Sequence, residues 1–406
     1  MIKKAFPFGS IGIGLALLLS LVGELSRFHG FLWIDLFVPL FVLTWTTIQA
    51  IQKRPIRLPK TALPVLIFLF FGFASLLLHS GDMSGQEVLE STFYGVRFAA
   101  FFLLSVVVWN QSAAEKKHSL LALLFFIFLL CVAGFIQLKI MPDFTTMELL
   151  GWDPHQNRLL STWFDPNFVG GFLAFMLPIV VGVAWDAKKH RAVLAALALV
   201  MLLALVLTLS RSAYLALMAG LFVFGLLRSI KLLFVFMAIL LVTLSFLPPV
   251  QSRFLSLVES IESAFVEDYF LPDASARLRY DSWGEAWQLF LKEPWIGHGY
   301  NRYKHAALEL GTLKDLEIHS ASGSDSSLLN ILATTGLLGF IPFLAAYLLL
   351  AKQAWVHKKS GFAAGFLAGL CGLFIHAIFV NSLLFPLFMA PFWITAGLLP
   401  HSKEAE

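Results

Sequence analysis

"LALVLTLSRSAYLALMAGLFVF", residues 203–224, contains one full charge, Arg211, and no other charge occurs anywhere from Ala192 to Leu227. Runs of roughly 17–25 apolar residues are long enough to cross a ~30 Å hydrocarbon core as helices, in which every backbone polar group is satisfied internally. Two such runs meet at Arg211, one ending near residue 209 and the other starting near 212. The arginine therefore belongs to the junction of two membrane helices. An anchor that snorkels to the interface is one reading of it; a ligand for an anionic substrate is the other.

The rest of the 406-residue chain has the same character. It is 59% hydrophobic and 13% charged, with 41 Phe and 11 Trp, against ~25% charged residues in ordinary soluble domains. Spans are predicted at about residues 8–25, 30–50, 62–79, 92–109, 119–137, 167–185, 192–209, 212–227, 229–247, 326–351, 361–380 and 383–399. The expected fold is an all-α polytopic membrane protein of about twelve transmembrane helices. Helices one to nine occupy 1–247, a large outer loop fills 248–325, and helices ten to twelve with a cytoplasmic tail occupy 326–406.

With the N-terminus inside, the basic residues fall where the positive-inside rule puts them. Lys3 and Lys4, Lys53 to Lys60, Lys116 and Lys117, Lys188 to Arg191, Arg228 and Lys231, Lys352 to Lys359, and Lys403 all occupy cytoplasmic segments. Both ends are expected in the cytoplasm of a cell with the chain in its inner or plasma membrane. The first segment lacks a small-x-small cleavage site and reads as a retained helix. The net charge of +4 comes mostly from those loops, so it reports orientation and gives no support to a nucleic-acid partner. Cys131 and Cys371 lie inside apolar runs, where they act as small hydrophobes.

Two outer segments are long, residues 138–166 and 248–325. In the second, acidic residues outnumber basic ones, so it reads as a folded polar element. Within it "ARLRYDSWGEAWQLFLKEP" (276–294) has the period of an amphipathic helix stopped by Pro294. Arg279, Trp283, Ala286 and Phe290 share one face. Arg277, Asp281, Gly284, Gln288 and Lys292 share the other, where Arg277 has an i,i+4 partner in Asp281. Arg279 therefore faces the membrane domain.

Arg97, in "FYGVRFAAFF", and Arg158, in the first long outer segment, belong to the same leaflet level as Arg211 and Arg279. A guanidinium fork matches phosphate oxygens in bidentate fashion, so four arginines at one vestibule point to a phosphorylated lipid head group. In "STWFDPNFVGGFL" (161–173), Asp165 reads as an N-cap with Pro166 in the first turn and Asn167 just inside, aiming a positive helix end at the same face. In "HSASGSDSSLLNILATTGLLGF" (319–340), Asp325 reads either as an N-cap or as a functional carboxylate, and His319 as a solvated loop residue or a base.

Together these stretches resemble the O-antigen ligase/polymerase family of polytopic glycosyltransferases. The pattern is "RLLSTWFDPNFVGGFL", "LTLSRSAYLAL", Arg279 four residues before Trp283, "EPWIGHG" and "LLNILATTGLLGF", in that order over about residues 155–345. The resemblance implies a glycan donor on an undecaprenyl-type diphosphate, a lipid or glycan acceptor hydroxyl at the outer face, and inverting transfer with no metal or cofactor. No Asp-x-Asp or Walker loop argues for a nucleotide substrate. By resemblance Arg211, Arg279 and Arg158 are diphosphate ligands, with Arg97 at the same level. The family's His-Asn pair stands eleven residues before the glycine that here is Gly336, where this chain has Asp325 and Ser326. The general base is then Asp325 or His319, and ligase and polymerase both stay open. A flippase or transporter for the same lipid is the alternative of a different class; a glycan polymerase of the rod-shape and division class fits the pattern less well.

Overall fold

The computed structural model describes residues 8–231 apart from 29 and 82, the single positions 234, 237, 238, 251, 252 and 255, and residues 274–311 and 323–400. Thirteen α-helices organise those residues, and no strand occurs among them. They are α1 (Phe8–Val22), α2 (Trp33–Ile51), α3 (Ala62–Leu78), α4 (Gly85–Trp109), α5 (Ala113–Ile140), α6 (Pro166–Asp186), α7 (Arg191–Leu207), α8 (Arg211–Arg228), α9 (Ala274–Lys292), α10 (Tyr303–Leu310), α11 (Ser327–Val356), α12 (Gly361–Phe379) and α13 (Pro386–Gly397).

Eight segments among the described residues, α1 together with the 3₁₀ turn that extends it to Ser26, α2, α4, α5, α6, α8, α11 and α12, have the length and hydropathy to cross a bilayer. The apolar helices α3 and α7, each of 17 residues, stand at the short end of the spanning range. Helices that are apolar on all sides belong either in a protein core or in lipid, and α2 does both. Ile34, Val38, Phe41, Val42 and Trp45 are buried while Leu36, Leu40 and Leu43 are exposed.

Two predicted spans need comment. The ninth, 229–247, falls almost wholly outside the described residues. The last, 383–399, yields a 3₁₀ turn at Ser382–Leu384 followed by α13, which has 12 residues and is ~18 Å long at 1.5 Å per residue. The helix alone is short of the ~30 Å core, but the whole segment runs the length of α11: Leu383 N donates to Ser327 Oγ at 3.1 Å at one end and Gln353 Nε2 to Pro400 O at 3.0 Å at the other. Every residue of α13 is buried, so its apolar composition reflects a central packing position. Conversely α4 and α5 begin earlier than their apolar runs, because Ser84/Glu87 and Ser112/Glu115 form capping boxes.

Small residues let the central helices meet backbone to backbone. A Cβ added to Gly361, Gly365 or Gly369 of α12 would overlap the carbonyl oxygens of Gly182, Pro178 and Phe175 on α6. The four-residue spacing places all three on one stripe of α12, the packing device expected where lipid supplies no hydrophobic drive between helices.

The tenth predicted span is broken. Gly336 has φ 58° and ψ −167° inside α11, a conformation that glycine alone adopts readily. The break frees backbone groups that "EPWIGHG" satisfies. His298 N and Gly299 N donate to Ala333 O and Thr334 O at 3.1 and 2.9 Å, and Leu337 N and Leu338 N donate to Pro294 O and Trp295 O at 2.9 and 3.1 Å. Ser75 of α3 donates to Gly297 O and Thr334 O. The two Gly-rich motifs are thus the two sides of one joint. It pins the end of α9 to the membrane helices, assisted by a small core of Ala286, Leu289, Tyr303, Ala306, Ala307 and Ala333.

At one end of the bundle the N-termini of α6, α8 and α11 open onto a single large cavity. Basic loops collect at the other end, where Arg228 donates to Lys359 O and Lys358 lies over the Trp355 ring.

Candidate functional site

The cavity has a volume of about 1200 Å³ and is lined by residues from 24 to 389, including Arg97, Arg158, Asn167, Arg211, Arg279 and Asp325. Six of the seven residues singled out from the sequence therefore line one space. His319, the seventh, lies outside the described residues.

Arg158, Asn167 and the start of α8 are knit into one unit. Arg158 Nε donates to Thr208 O at 2.8 Å, and its Nη2 donates to Asn167 Oδ1 at 3.4 Å. The same Asn167 oxygen accepts from Ser210 Oγ at 2.9 Å. Arg211 follows Ser210 as the first residue of α8 and is 8% exposed. Asp165 caps α6, its Oδ1 accepting from Asn167 N at 2.6 Å and Phe168 N at 3.3 Å. That cap role is the one its position in the sequence suggests.

The cap of α11 is Ser326, whose Oγ accepts from Leu329 N at 3.3 Å. Asp325 is thereby left to the cavity, held through its own N–H, which donates to Ser282 Oγ at 3.0 Å. Ser282 lies three residues after Arg279 on α9, so the same helix presents both groups. The amphipathic reading of α9 matches its burial, with Ala286 and Leu289 buried, Trp283 and Phe290 half-buried, and Arg277, Asp281, Gly284, Gln288 and Lys292 exposed. Trp283 meets Phe379 at the end of α12, ring centroids 5.5 Å apart.

Asp325 is open to the cavity's solvent yet has protein on most sides. Loss of bulk water pushes its carboxyl above the ordinary 3.8, opposed by the Arg279 guanidinium and reinforced by Asp153 and Asp165. Burial likewise raises Asp165, opposed by its backbone hydrogen bond and by Arg158 and Arg279. Asp153, His155 and Asp165 bring one potential ligand atom each within 4.8 Å of one another, and Arg158 Nη1 lies 3.4 Å from His155 Nδ1. His298 serves the joint itself. Its Nε2 lies 2.8 Å from Leu289 O, and burial depresses its pKa below the ordinary 6.5.

Arg97 lines the same cavity from α4. Its Nη1 is 3.5 Å from Asp35 Oδ2 and its Cζ is 4.0 Å from the centre of the Tyr94 ring, so its charge is offset by a buried carboxylate. Sequence reasoning passed over Glu24, Arg27 and Asp35, which also line the cavity. The signal was present, since all three are ionisable residues within or at the ends of predicted membrane spans. Asn330, buried at the same wall as Asp325, was missed because an asparagine in an apolar helix carries no charge to notice.

Backbone strain concentrates here. Asn157, Phe164, Leu209 and Asn301 all line the cavity with φ of 53°, 56°, 52° and 60°. Non-glycine residues in that region cost about 1–3 kcal/mol each and persist where the surroundings over-determine them, typically at functional sites.

Arg211, Arg279, the joint and Asp325 all come from one stretch of the chain, from the start of α8 to the first part of α11. Residues 196–344 match the family model for O-antigen ligase. The match supports the family reading made from the motifs, and members of the O-antigen ligase family are membrane glycosyltransferase-like enzymes acting on lipid-linked glycans. It covers Arg211, Arg279, the joint and Asp325, and begins C-terminal to Arg158 and Asn167. No curated protein matches the chain.

Proposed function

We propose that this protein transfers a glycan from an undecaprenyl-type diphosphate to an acceptor hydroxyl at the outer face of the membrane, with inversion. The observation that supports this most is the convergence of Arg158, Arg211 and Arg279, from three separate parts of the chain, on the cavity that also holds Asp325. The positive ends of α6, α8 and α11 face the same space and add to the field that favours an anion.

In the proposed reaction the acceptor oxygen attacks the anomeric carbon while the bond from that carbon to the phosphate oxygen breaks. The electron pair leaves with the lipid diphosphate, where charge develops. Arg158, Arg211 and Arg279 neutralise it, as preorganised donors do best in a water-poor site. Asp325 takes the acceptor proton. Its raised pKa suits this role, because a carboxylate closer to neutrality is a stronger base. Arg97, already neutralised by Asp35, contributes least to the diphosphate. About twelve spans, with both termini cytoplasmic and residues 248–325 outside, complete the proposal.

A polymerase of the same family would use the same machinery with another lipid-linked glycan as acceptor. The envelope glycan of a deletion strain separates the readings. Unligated lipid-linked polymer is expected for a ligase and single repeat units for a polymerase. An intermediate trapped in the inner leaflet would instead indicate a flippase and overturn the proposal.

A further inference from the structure

The cavity, at about 1200 Å³, exceeds the ~300–1000 Å³ typical of small-ligand sites, so a diphosphate would fill only part of it. Its two walls also differ in chemistry. On one wall Arg158, Arg211 and Arg279 converge where the leaving group of the proposed reaction departs. On the wall built by the α1–α2 connection and α4, each cation has its own carboxylate. Arg27 grips Glu24 through two bonds of 2.5 and 2.8 Å, and Arg97 pairs with Asp35 at 3.5 Å. The side chains of Glu24 and Asp35 are each 1% exposed, so these ion pairs are fixed parts of the wall.

Each guanidinium also lies against a ring. Arg27 Cζ is 5.6 Å from the Trp152 centroid and Arg97 Cζ is 4.0 Å from that of Tyr94. The Arg27 side chain is 40% exposed and that of Arg97 10%, so the guanidiniums are the polar groups of these pairs that reach the cavity. Guanidiniums paired with buried carboxylates present donors with little net field. That suits an anion poorly and a neutral, hydroxyl-rich ring well, with the aromatic faces packing on its C–H surface.

We infer that this part of the cavity is a carbohydrate subsite, holding a neutral sugar of the glycan while Arg158, Arg211 and Arg279 hold the diphosphate. Trp152 and Tyr94 supply its ring faces; the Arg27 and Arg97 guanidiniums, each neutralised by a buried carboxylate, supply its hydrogen-bond donors. This rests on the diphosphate reading of the Arg158, Arg211 and Arg279 wall. The sugar could come from the donor or from the acceptor, and the chemistry of recognition is the same.

The test uses the purified full-length protein in detergent and titration calorimetry with three probes. These are inorganic pyrophosphate, the repeat-unit oligosaccharide released from the lipid-linked donor of the native host, and the oligosaccharide cleaved from its mature surface glycolipid. Trp152→Ala and Tyr94→Ala are each expected to weaken an oligosaccharide about tenfold while pyrophosphate affinity stays within about twofold, which also shows that the variants are folded. Loss of the first oligosaccharide assigns the subsite to the donor, loss of the second to the acceptor. Trp152→Phe, which keeps a ring face, should recover most of the binding. Arg279→Ala should do the reverse, losing pyrophosphate and keeping the oligosaccharide. If it leaves pyrophosphate unchanged, the diphosphate reading fails while the oligosaccharide results still judge the subsite. The inference is overturned if neither oligosaccharide binds the unaltered protein, if the alanine variants bind both as before, or if Trp152→Phe is as weak as Trp152→Ala.

Discussion

Replacing Arg211 separates what a residue does for the fold from what it does for the reaction. A cation at the first residue of a helix sits at the positive end of the macrodipole, an arrangement that costs about 0.3–1 kcal/mol. Arg211 does so at the start of α8 while 8% exposed. Truncation to alanine relieves that cost and offsets the contacts it removes. The stability of Arg211→Ala is therefore expected to stay within about 1 kcal/mol of the unaltered protein, a shift of at most a few degrees in a domain of this size. Transfer should fall by ~10² to 10³, the usual loss when one donor to a developing oxyanion is removed. Arg211→Lys should lose most activity as well, since lysine keeps the charge but not the bidentate fork. The assay is complementation of surface glycan in a deletion strain, with membrane abundance and thermal unfolding in detergent followed in parallel. Full activity of Arg211→Lys would return Arg211 to an interface anchor. Unfolding of Arg211→Ala by several kcal/mol, with activity lost in proportion, would show a structural role and refute the argument.

Arg279→Ala should reduce transfer ~10² to 10³ while Arg277→Ala, on the exposed face of α9, leaves it near normal; equal losses at matched protein levels would sink the face argument. Because desolvation raises the Asp325 carboxyl above 3.8, the acid limb of the pH–rate profile should lie above that value, with activity lost as pH falls through it. A raised carboxyl pKa also means that Asp325 subtracts stability once pH rises past it, so Asp325→Asn should be inactive yet no less stable at neutral pH; an active asparagine variant removes it as the base. Gly365→Ala should cost about 1–3 kcal/mol in thermal unfolding or membrane abundance, since the new Cβ would overlap Pro178 O; normal stability would mean that α6 and α12 can separate freely. A cysteine at Gln251 should be labelled from outside intact cells while tags at both termini stay protected, and labelling only after lysis would invert the topology.

Helix positions were legible in the sequence because membrane partition is a local property of about twenty consecutive residues. The Asp165 cap and the two faces of α9 were legible for the same reason, since each depends on residues within one or two turns. The seventeen-residue helices and α13 show where this stops: an apolar run can mark a core helix as well as a span, and only its neighbours decide which. The break at Gly336 required the distant backbone of residues 294–299, whose hydrogen bonds replace those a continuous helix would make. Ser326 caps α11 where the sequence offered that role to Asp325 as one of its two readings, and Asp325 N donates instead to Ser282, 43 positions earlier. Arg97 was legible as a cation at the cavity but not as one already neutralised, because Asp35 lies 62 residues away. The sequence alone thus determined which residues carry charge at one end of the bundle. Only the tertiary structure decided which of those charges are paired off and which converge, since a charge's availability is set by the neighbours that folding brings within a few ångströms.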